Sequence, residues 1–176
     1  PSEDSYLLQE IILKKISNYK KNISILDMGS GTGIQAEVFK KNGFKNLLTV
    51  DINPDVVDYL KKKRYKCIQS DLFKEVKKKK FDIITFNPPY LPYDDKEPKD
   101  FQVNTVGGKK GCEIIIKFLN EAKDHLKKNG RILLLFSTLS KPRLILKNAK
   151  QNGYKYDLKG RKKLFFEELF IYEFFL

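Results

Sequence analysis

Four short apolar runs in this chain each end at a polar side chain and then break into a turn, and this recurrence narrows the fold more than any other feature. Ser24-Ile25-Leu26-Asp27 leads into Gly29-Ser30-Gly31-Thr32-Gly33 and a stretch of helical character to about Asn42. Leu47 to Val50 ends at Asp51, and Pro54, well suited to a first helical turn, opens a helix to about Lys63. Lys66 to Gln69 ends near Asp71, and Phe81 to Phe86 ends at Asn87-Pro88-Pro89-Tyr90. Upstream, Leu7, Leu8, Ile11, Ile12, Ile16 and Tyr19 form the stripe of an amphipathic helix over 4–20, so residues 1–20 read as an N-terminal helical element. Downstream, the pattern predicts a helix over 112–128 stopped by Asn129-Gly130, a strand over 131–137, a helix over 141–151 and a closing hairpin over 154–175.

Alternating strands and helices predict a single α/β domain over 1–176. It is Rossmann-like, with a mostly parallel seven-stranded sheet, helices on both faces and a C-terminal antiparallel hairpin. Right-handed crossovers bring the carboxyl ends of the parallel strands to one edge, where open α/β sheets bind ligands. Asp27, Asp51, Asp71 and Asn87 then converge on one crevice. The polar segment 91–110, with Pro92, Pro98 and Gly107-Gly108, separates the fourth strand from the next helix and reads as a mobile substrate loop, its part 94–108 a candidate lid.

The glycine loop alone also fits dinucleotide folds, whose helix N-terminus takes a phosphate. Here Asp27 precedes it and would repel a phosphate, which suits an amino group instead. Asp51 is placed to accept both ribose hydroxyls, and Asp71, with Leu72 against the ring, can accept from an adenine amino group. Each acid taken singly can equally cap a turn or helix. Together they describe adenosine joined to a cationic amino acid without phosphate, which is S-adenosylmethionine.

Asn87-Pro88-Pro89-Tyr90 supplies the complementary half. A planar NH2 nitrogen attacks a methyl sulfonium poorly unless two acceptors hold its hydrogens. The Asn87 side-chain oxygen is one such acceptor and the Pro88 carbonyl a second, because the proline pair lacks N–H donors and restricts the turn. Tyr90 can pack on the flat acceptor group. Such a site works by orientation and charge stabilisation rather than by a strong base.

These motifs resemble the class I S-adenosylmethionine-dependent methyltransferases. More narrowly, the chain resembles the HemK-like protein-glutamine N5-methyltransferases of the short archaeal and eukaryotic branch that modifies class 1 peptide-release factors. The resemblance runs through Pro1-Ser-Glu-Asp-Ser5, Leu26 to Gly33, Asp51-Ile52-Asn53-Pro54, Ser70-Asp71-Leu72, Asn87 to Tyr90, and Gly107-Gly108-Lys-Lys-Gly111. It implies cofactor contacts at Ser5, Asp27, Gly29, Gly31, Asp51, Ile52, Asp71, Leu72 and Asn87. It also implies catalytic roles for Asn87, Pro88 and Tyr90, with Pro89 completing the substrate pocket. The implied partners are a release factor as substrate and a small zinc-binding activator protein, for which the third strand is a candidate sheet edge. An exocyclic amine of RNA or DNA, such as adenine N6, is the alternative acceptor, since it too is a planar NH2 group.

The net charge of +13 invites a nucleic-acid contact, but only Arg64, Arg131, Arg143 and Arg161 are arginines, so the surface is a lysine one. No apolar run approaches the roughly 20 residues of a membrane span. There is no charged-then-apolar leader. Cys67 and Cys112 stand alone, with no spacing for a metal or a disulfide framework. A reducing, cytoplasmic setting with no membrane contact is the expectation.

Overall fold

The computed structural model describes residues 3–95 and 105–176. Its elements are α1 (Glu3–Ile16), β1 (Ile25–Met28), α2 (Ile34–Lys41), β2 (Leu47–Asp51), α3 (Pro54–Lys62), β3 (Cys67–Gln69) and β4 (Phe81–Phe86). They continue with α4 (Glu113–Ala122), β5 (Leu126–Ser137), α5 (Pro142–Gln151), β6 (Lys155–Lys163) and β7 (Glu168–Phe175). One seven-stranded sheet runs in the order β3-β2-β1-β4-β5-β7-β6. β1 to β5 are parallel, and β7 pairs antiparallel with both β5 and β6.

The central strands are buried on both faces, which is why they read as nearly continuous apolar runs. Their period of two assigns the faces. Leu26, Met28, Ile84, Phe86, Ile132, Leu134 and Phe136 pack with Phe118 and Leu119 of α4 and Ile145 and Ala149 of α5. Ile25, Ile83, Leu133 and Leu135 pack on the other side with Leu8, Ile12 and Ile16 of α1 and Phe39 of α2. Val57 and Leu60 of α3 close over Cys67 at the β3 edge. Both cysteines are free thiols in the interior.

Two boundaries differ from the expected ones. The N-terminal helix, expected over 4–20, ends at Ile16: Ser17 Oγ donates to the Lys14 carbonyl at 2.9 Å and Tyr19 N donates to the Ile16 carbonyl, turning the chain away. The helix expected over 112–128 ends at Ala122, where a 3₁₀ turn, Lys123–His125, leads straight into β5. Asn129, with φ 68°, and Gly130 therefore sit inside a strand rather than stopping a helix. The interval from Leu126 to Arg131 opposes only Phe81 to Ile83 on β4, so the extra residues bulge out of the ladder. His125 belongs to this turn. Its ring stacks on Phe73 with centroids 4.5 Å apart, and Nδ1 lies 2.8 Å from the Lys79 carbonyl.

Candidate active site

The carboxyl ends of β1, β2 and β4, with the residues after β3, enclose a cavity of about 470 Å3. Among its walls are Gly29 and Gly31 of the glycine loop, Asp51 and Ile52 after β2, Asp71 and Leu72 after β3, and Asn87 and Pro89 after β4. Residues to which the sequence reading gave no site role complete it: Met28, Asn53, Val56, Ser70, Phe86, Ile114 and Lys117. Phe86 and Met28 were accessible by simple adjacency to the motifs. Ile114 and Lys117 come from α4, brought in by a long crossover that no local pattern announces.

The glycine loop is shaped by its backbone. Gly31 has φ 51° and open space where a Cβ would project, so the loop presents bare backbone to the cavity. A Cβ on Gly33, φ 80°, would meet Leu60 at 2.8 Å, so this position lets α2 pack on α3. Asp51 is clamped: Oδ2 accepts from Gly31 N at 2.9 Å and Oδ1 from Asn53 N at 3.0 Å. Asp51 itself lines the cavity. Leu72 adopts φ 51°, a left-handed conformation that costs a non-glycine residue about 1–3 kcal/mol and tends to persist at ligand sites. Asp71 is exposed, and its Oδ2 accepts from Lys117 Nζ at 2.7 Å, so an adenine amino group would share this carboxylate with a lysine.

Asp27, Ser5, Pro88 and Tyr90 do not line the cavity but adjoin it. Asp27 lies within β1 rather than at its end, 2% exposed. Its Oδ1 accepts from Thr85 Oγ1 at 2.8 Å, while Oδ2 is buried without a partner. Burial pushes this carboxyl up to about 6, outweighing the Thr85 hydrogen bond that pulls it down, with the Asp51 charge adding to the rise. Ser5, on the first turn of α1, is also buried, and Asn87 Nδ2 donates to its Oγ at 3.4 Å. Asn87 Oδ1 is buried and lacks any hydrogen-bond partner among the described residues. Pro1 and Ser2 of the Pro-Ser-Glu-Asp-Ser motif lie outside the described residues, as do 96–104 of the segment expected as a substrate loop.

The turn after Asn87 is braced from behind. Leu91 N donates to the Thr105 carbonyl, Gly107 N to the Leu91 carbonyl and Tyr93 N to the Gly108 carbonyl. A Cβ on Gly107 would lie 2.5 Å from the Pro89 carbonyl oxygen, and one on Gly111, φ 76°, would lie 2.5 Å from that of Tyr90. Both ends of the 91–110 segment are thus hydrogen-bonded to one another. Tyr90 is half-buried, and burial holds its phenol well above the usual tyrosine range.

Two orphaned acceptors, Asp27 Oδ2 on β1 and Asn87 Oδ1 after β4, accompany a cavity that has apolar walls, a clamped carboxylate and bare glycine backbone. That acceptor set suits a ligand with a cationic amino group and ribose hydroxyls, while the Ser30, Gly31 and Gly33 N–H groups of the loop are already bonded to the Val50 carbonyl, Asp51 Oδ2 and the Ser30 carbonyl.

Comparison with known proteins points to the same chemistry. The methyltransferase small domain model matches residues 6–159. A protein of Methanocaldococcus jannaschii, provisionally named a protein N5-glutamine methyltransferase, is 38% identical over 97% of this chain and 88% of its own length. The release factor glutamine methyltransferase of Aquifex aeolicus is 30% identical over 76% of this chain, which spans about half, 53%, of that protein. Among solved structures, the E. cuniculi Mtq2–Trm112 complex, which methylates the termination factor eRF1, superimposes with a TM-score of 0.79 over 99% of this chain and 95% of that one, at 23% identity. A Bacteroides fragilis S-adenosylmethionine-dependent methyltransferase holding S-adenosylhomocysteine matches at 0.70, covering 97% of this chain and 77% of that one. With one family model spanning most of the sequence and an archaeal relative matching nearly all of it, the chain belongs to the methyltransferase small domain family, among the protein N5-glutamine methyltransferases.

Proposed function

We propose that this protein transfers a methyl group to the side-chain amide nitrogen of a glutamine in the Gly-Gly-Gln loop of a class 1 peptide-release factor, in the cytoplasm. The observation that carries the reading is Asn87: its Nδ2 is committed to Ser5 Oγ while its Oδ1 stays buried and unpartnered beside the cavity. A buried acceptor without a donor costs about 1–3 kcal/mol, which an amide N–H of the substrate recovers.

The residues divide into two groups. Asp51 takes the ribose hydroxyls, Leu72 and Ile52 flank the adenine, Asp71 meets its amino group, and Gly29 and Gly31 let the backbone approach. Asp27, with Ser5 behind Asn87, faces the amino-acid end. When bound, S-adenosylmethionine supplies an electrophilic methyl group on a sulfonium. Asn87 Oδ1 and the Pro88 carbonyl hold the two hydrogens of the acceptor amide, which turns its nitrogen lone pair toward that methyl. Tyr90 and Pro89 pin the flat amide, and the nitrogen releases one proton to solvent after transfer. No strong base is required, and a phenol held protonated at Tyr90 is consistent with a packing role.

A small activator protein, such as the partner in the Mtq2–Trm112 complex, has an available docking edge in β3, whose outer side pairs with no strand among the described residues. The test of the whole reading is methyl transfer from labelled cofactor into a purified release factor, alone and with a candidate activator, followed by mass spectrometry of the modified peptide. Label on the Gly-Gly-Gln glutamine, lost when that glutamine is replaced by alanine, is the expected result. Label entering RNA instead would overturn it.

A further inference from the structure

The hairpin that joins β6 to β7 ends on the same edge of the sheet as the Asn87–Tyr90 turn. β7 begins where β5 ends, with Leu169 opposite Ser137. The short turn after β5 holds both neighbours: Ser140 Oγ donates to the Tyr90 carbonyl at 2.9 Å, and Glu168 N donates to Thr138 Oγ1 at 3.1 Å. Leu164 and Tyr90 also rest on the same apolar cluster. The hairpin tip therefore stands beside the substrate half of the site.

Two features of that tip are unexplained by the fold. Phe165 and Phe166 form an edge-to-face pair with centroids 4.7 Å apart, yet they are 92% and 86% exposed. Paired phenyl rings in water weaken solubility and contribute little to the core, so they mark a contact surface. Next to them, Glu167 Oε2 is buried and has no hydrogen-bond partner among the described residues. A carboxylate oxygen withdrawn from water without a donor is unfavourable unless a ligand supplies one. Of the hairpin's cations, Lys162 pairs with Glu3 and Lys159 with Asp157 and Glu173, and no ion pair among the described residues involves Glu167. Burial above all, then the charges of Asp4 and Glu167, holds the Tyr90 phenol up, so this carboxylate is electrostatically within reach of the acceptor turn. On a chain of net charge +13, a negative point at the substrate mouth is selective.

We propose that the β6–β7 tip docks the protein substrate, with Phe165 and Phe166 taking an apolar side chain of the acceptor and Glu167 pairing with a lysine or arginine close to the target glutamine. The inference rests on the glutamine reading above. It commits the partner to a basic acceptor loop, since Glu167 would repel both an acidic peptide and a polynucleotide backbone.

The probes are two fluorescent peptides centred on Gly-Gly-Gln, one with lysines flanking the motif and one with alanines, measured for binding by anisotropy and for turnover with labelled cofactor. The wild-type protein should bind the lysine peptide about tenfold more tightly than its uncharged twin. Glu167→Gln should erase that preference while leaving the alanine peptide unaffected. Phe165→Ser with Phe166→Ser should weaken both peptides severalfold, and unchanged binding of both would overturn the apolar half. Equal wild-type affinities, or a Glu167→Gln effect of the same size on both peptides, would overturn the charge half whatever the turnover. A lysine preference that Glu167→Gln abolishes, without methyl transfer to either peptide, would uphold the docking role and count against the glutamine reading alone.

Discussion

A carboxylate buried within a strand is an uneasy neighbour for apolar side chains, and Asp27 is held there with one oxygen unpartnered. Its folded pKa of about 6 lies above the ordinary 3.8. The contribution to stability from this raised pKa is therefore fully present below about pH 4 and is lost as pH rises through 6, a cost of about 3 kcal/mol at neutral pH. A bound ammonium reverses that penalty by favouring the ionised form. Cofactor affinity should accordingly be about tenfold weaker at pH 5 than at pH 7, and Asp27→Asn should flatten the profile and lower affinity at pH 7. Calorimetric titration across that range measures both, and a flat wild-type profile would take Asp27 out of the amino-group role. Asn87 makes the contrasting case, because on the proposed reading its free acceptor takes the substrate amide. Asn87→Ala should lower kcat about 10²–10³-fold while changing cofactor affinity by less than about threefold. Lost cofactor binding with turnover intact would reverse the assignment. Both residues stood out in the sequence as polar groups after apolar runs, though Asp27 lies inside β1 rather than closing it. The pairing of Asp27 with Thr85 was not, since it depends on β1 and β4 lying side by side.

At the scale of elements, the acceptor turn is rigid because the glycines behind it let two backbones touch. Gly111→Ala would place a methyl group 2.5 Å from the Tyr90 carbonyl in a backbone with φ 76°, so the turn must shift. Substrate KM should rise and kcat fall, with about 2–4 kcal/mol of stability lost, whereas Gly43→Ala, φ 82° and open on all sides, should cost only about 1 kcal/mol of backbone strain and leave kinetics alone. Thermal melts with steady-state kinetics compare the two, and equal kinetics would mean that the brace does not position Tyr90. The sequence marked Gly107-Gly108 and Gly111 as a motif but not its purpose, because the atoms it accommodates belong to residues some twenty positions upstream. The same limit explains the α4–β5 boundary. Asn129-Gly130 has the local composition of a helix stop, but pairing with Phe81 draws Leu126 into the ladder and the turn residues become a bulge. Helices with strong apolar faces and strands buried on both sides were legible throughout, since there local pattern and tertiary demand agree.

The site has no existence apart from the whole sheet. Its walls come from the ends of β1, β2 and β4, the chain after β3, and α4, which packs across one face of the strands. Ligand binding should therefore stabilise the molecule against global unfolding, not one loop against fraying. At a free cofactor concentration about 100 times Kd the gain is about 2.7 kcal/mol. For a domain of this size that corresponds to a rise in Tm of about 5–10 °C. Three variants separate the contributions. Asp51→Ala should abolish most of the rise, because it removes the residue that anchors the glycine loop at Gly31 and, on the proposed reading, takes the ribose. Asn87→Ala should keep it, since on the proposed reading its free acceptor serves the substrate. Gly111→Ala should start from a lower Tm yet show the same increment, because the brace supports the Tyr90 turn, which the proposed reading gives to the substrate. Differential scanning calorimetry with and without S-adenosylhomocysteine measures all three, and a full rise in Asp51→Ala would mean that the cofactor sits elsewhere on this sheet edge. The distribution of charge sharpens the test: screening by added salt should leave the increment nearly unchanged, since Asp27 and Asp51 are buried, while the lysine-rich outer surface, exposed and poorly paired, should lose whatever polyanion affinity it has.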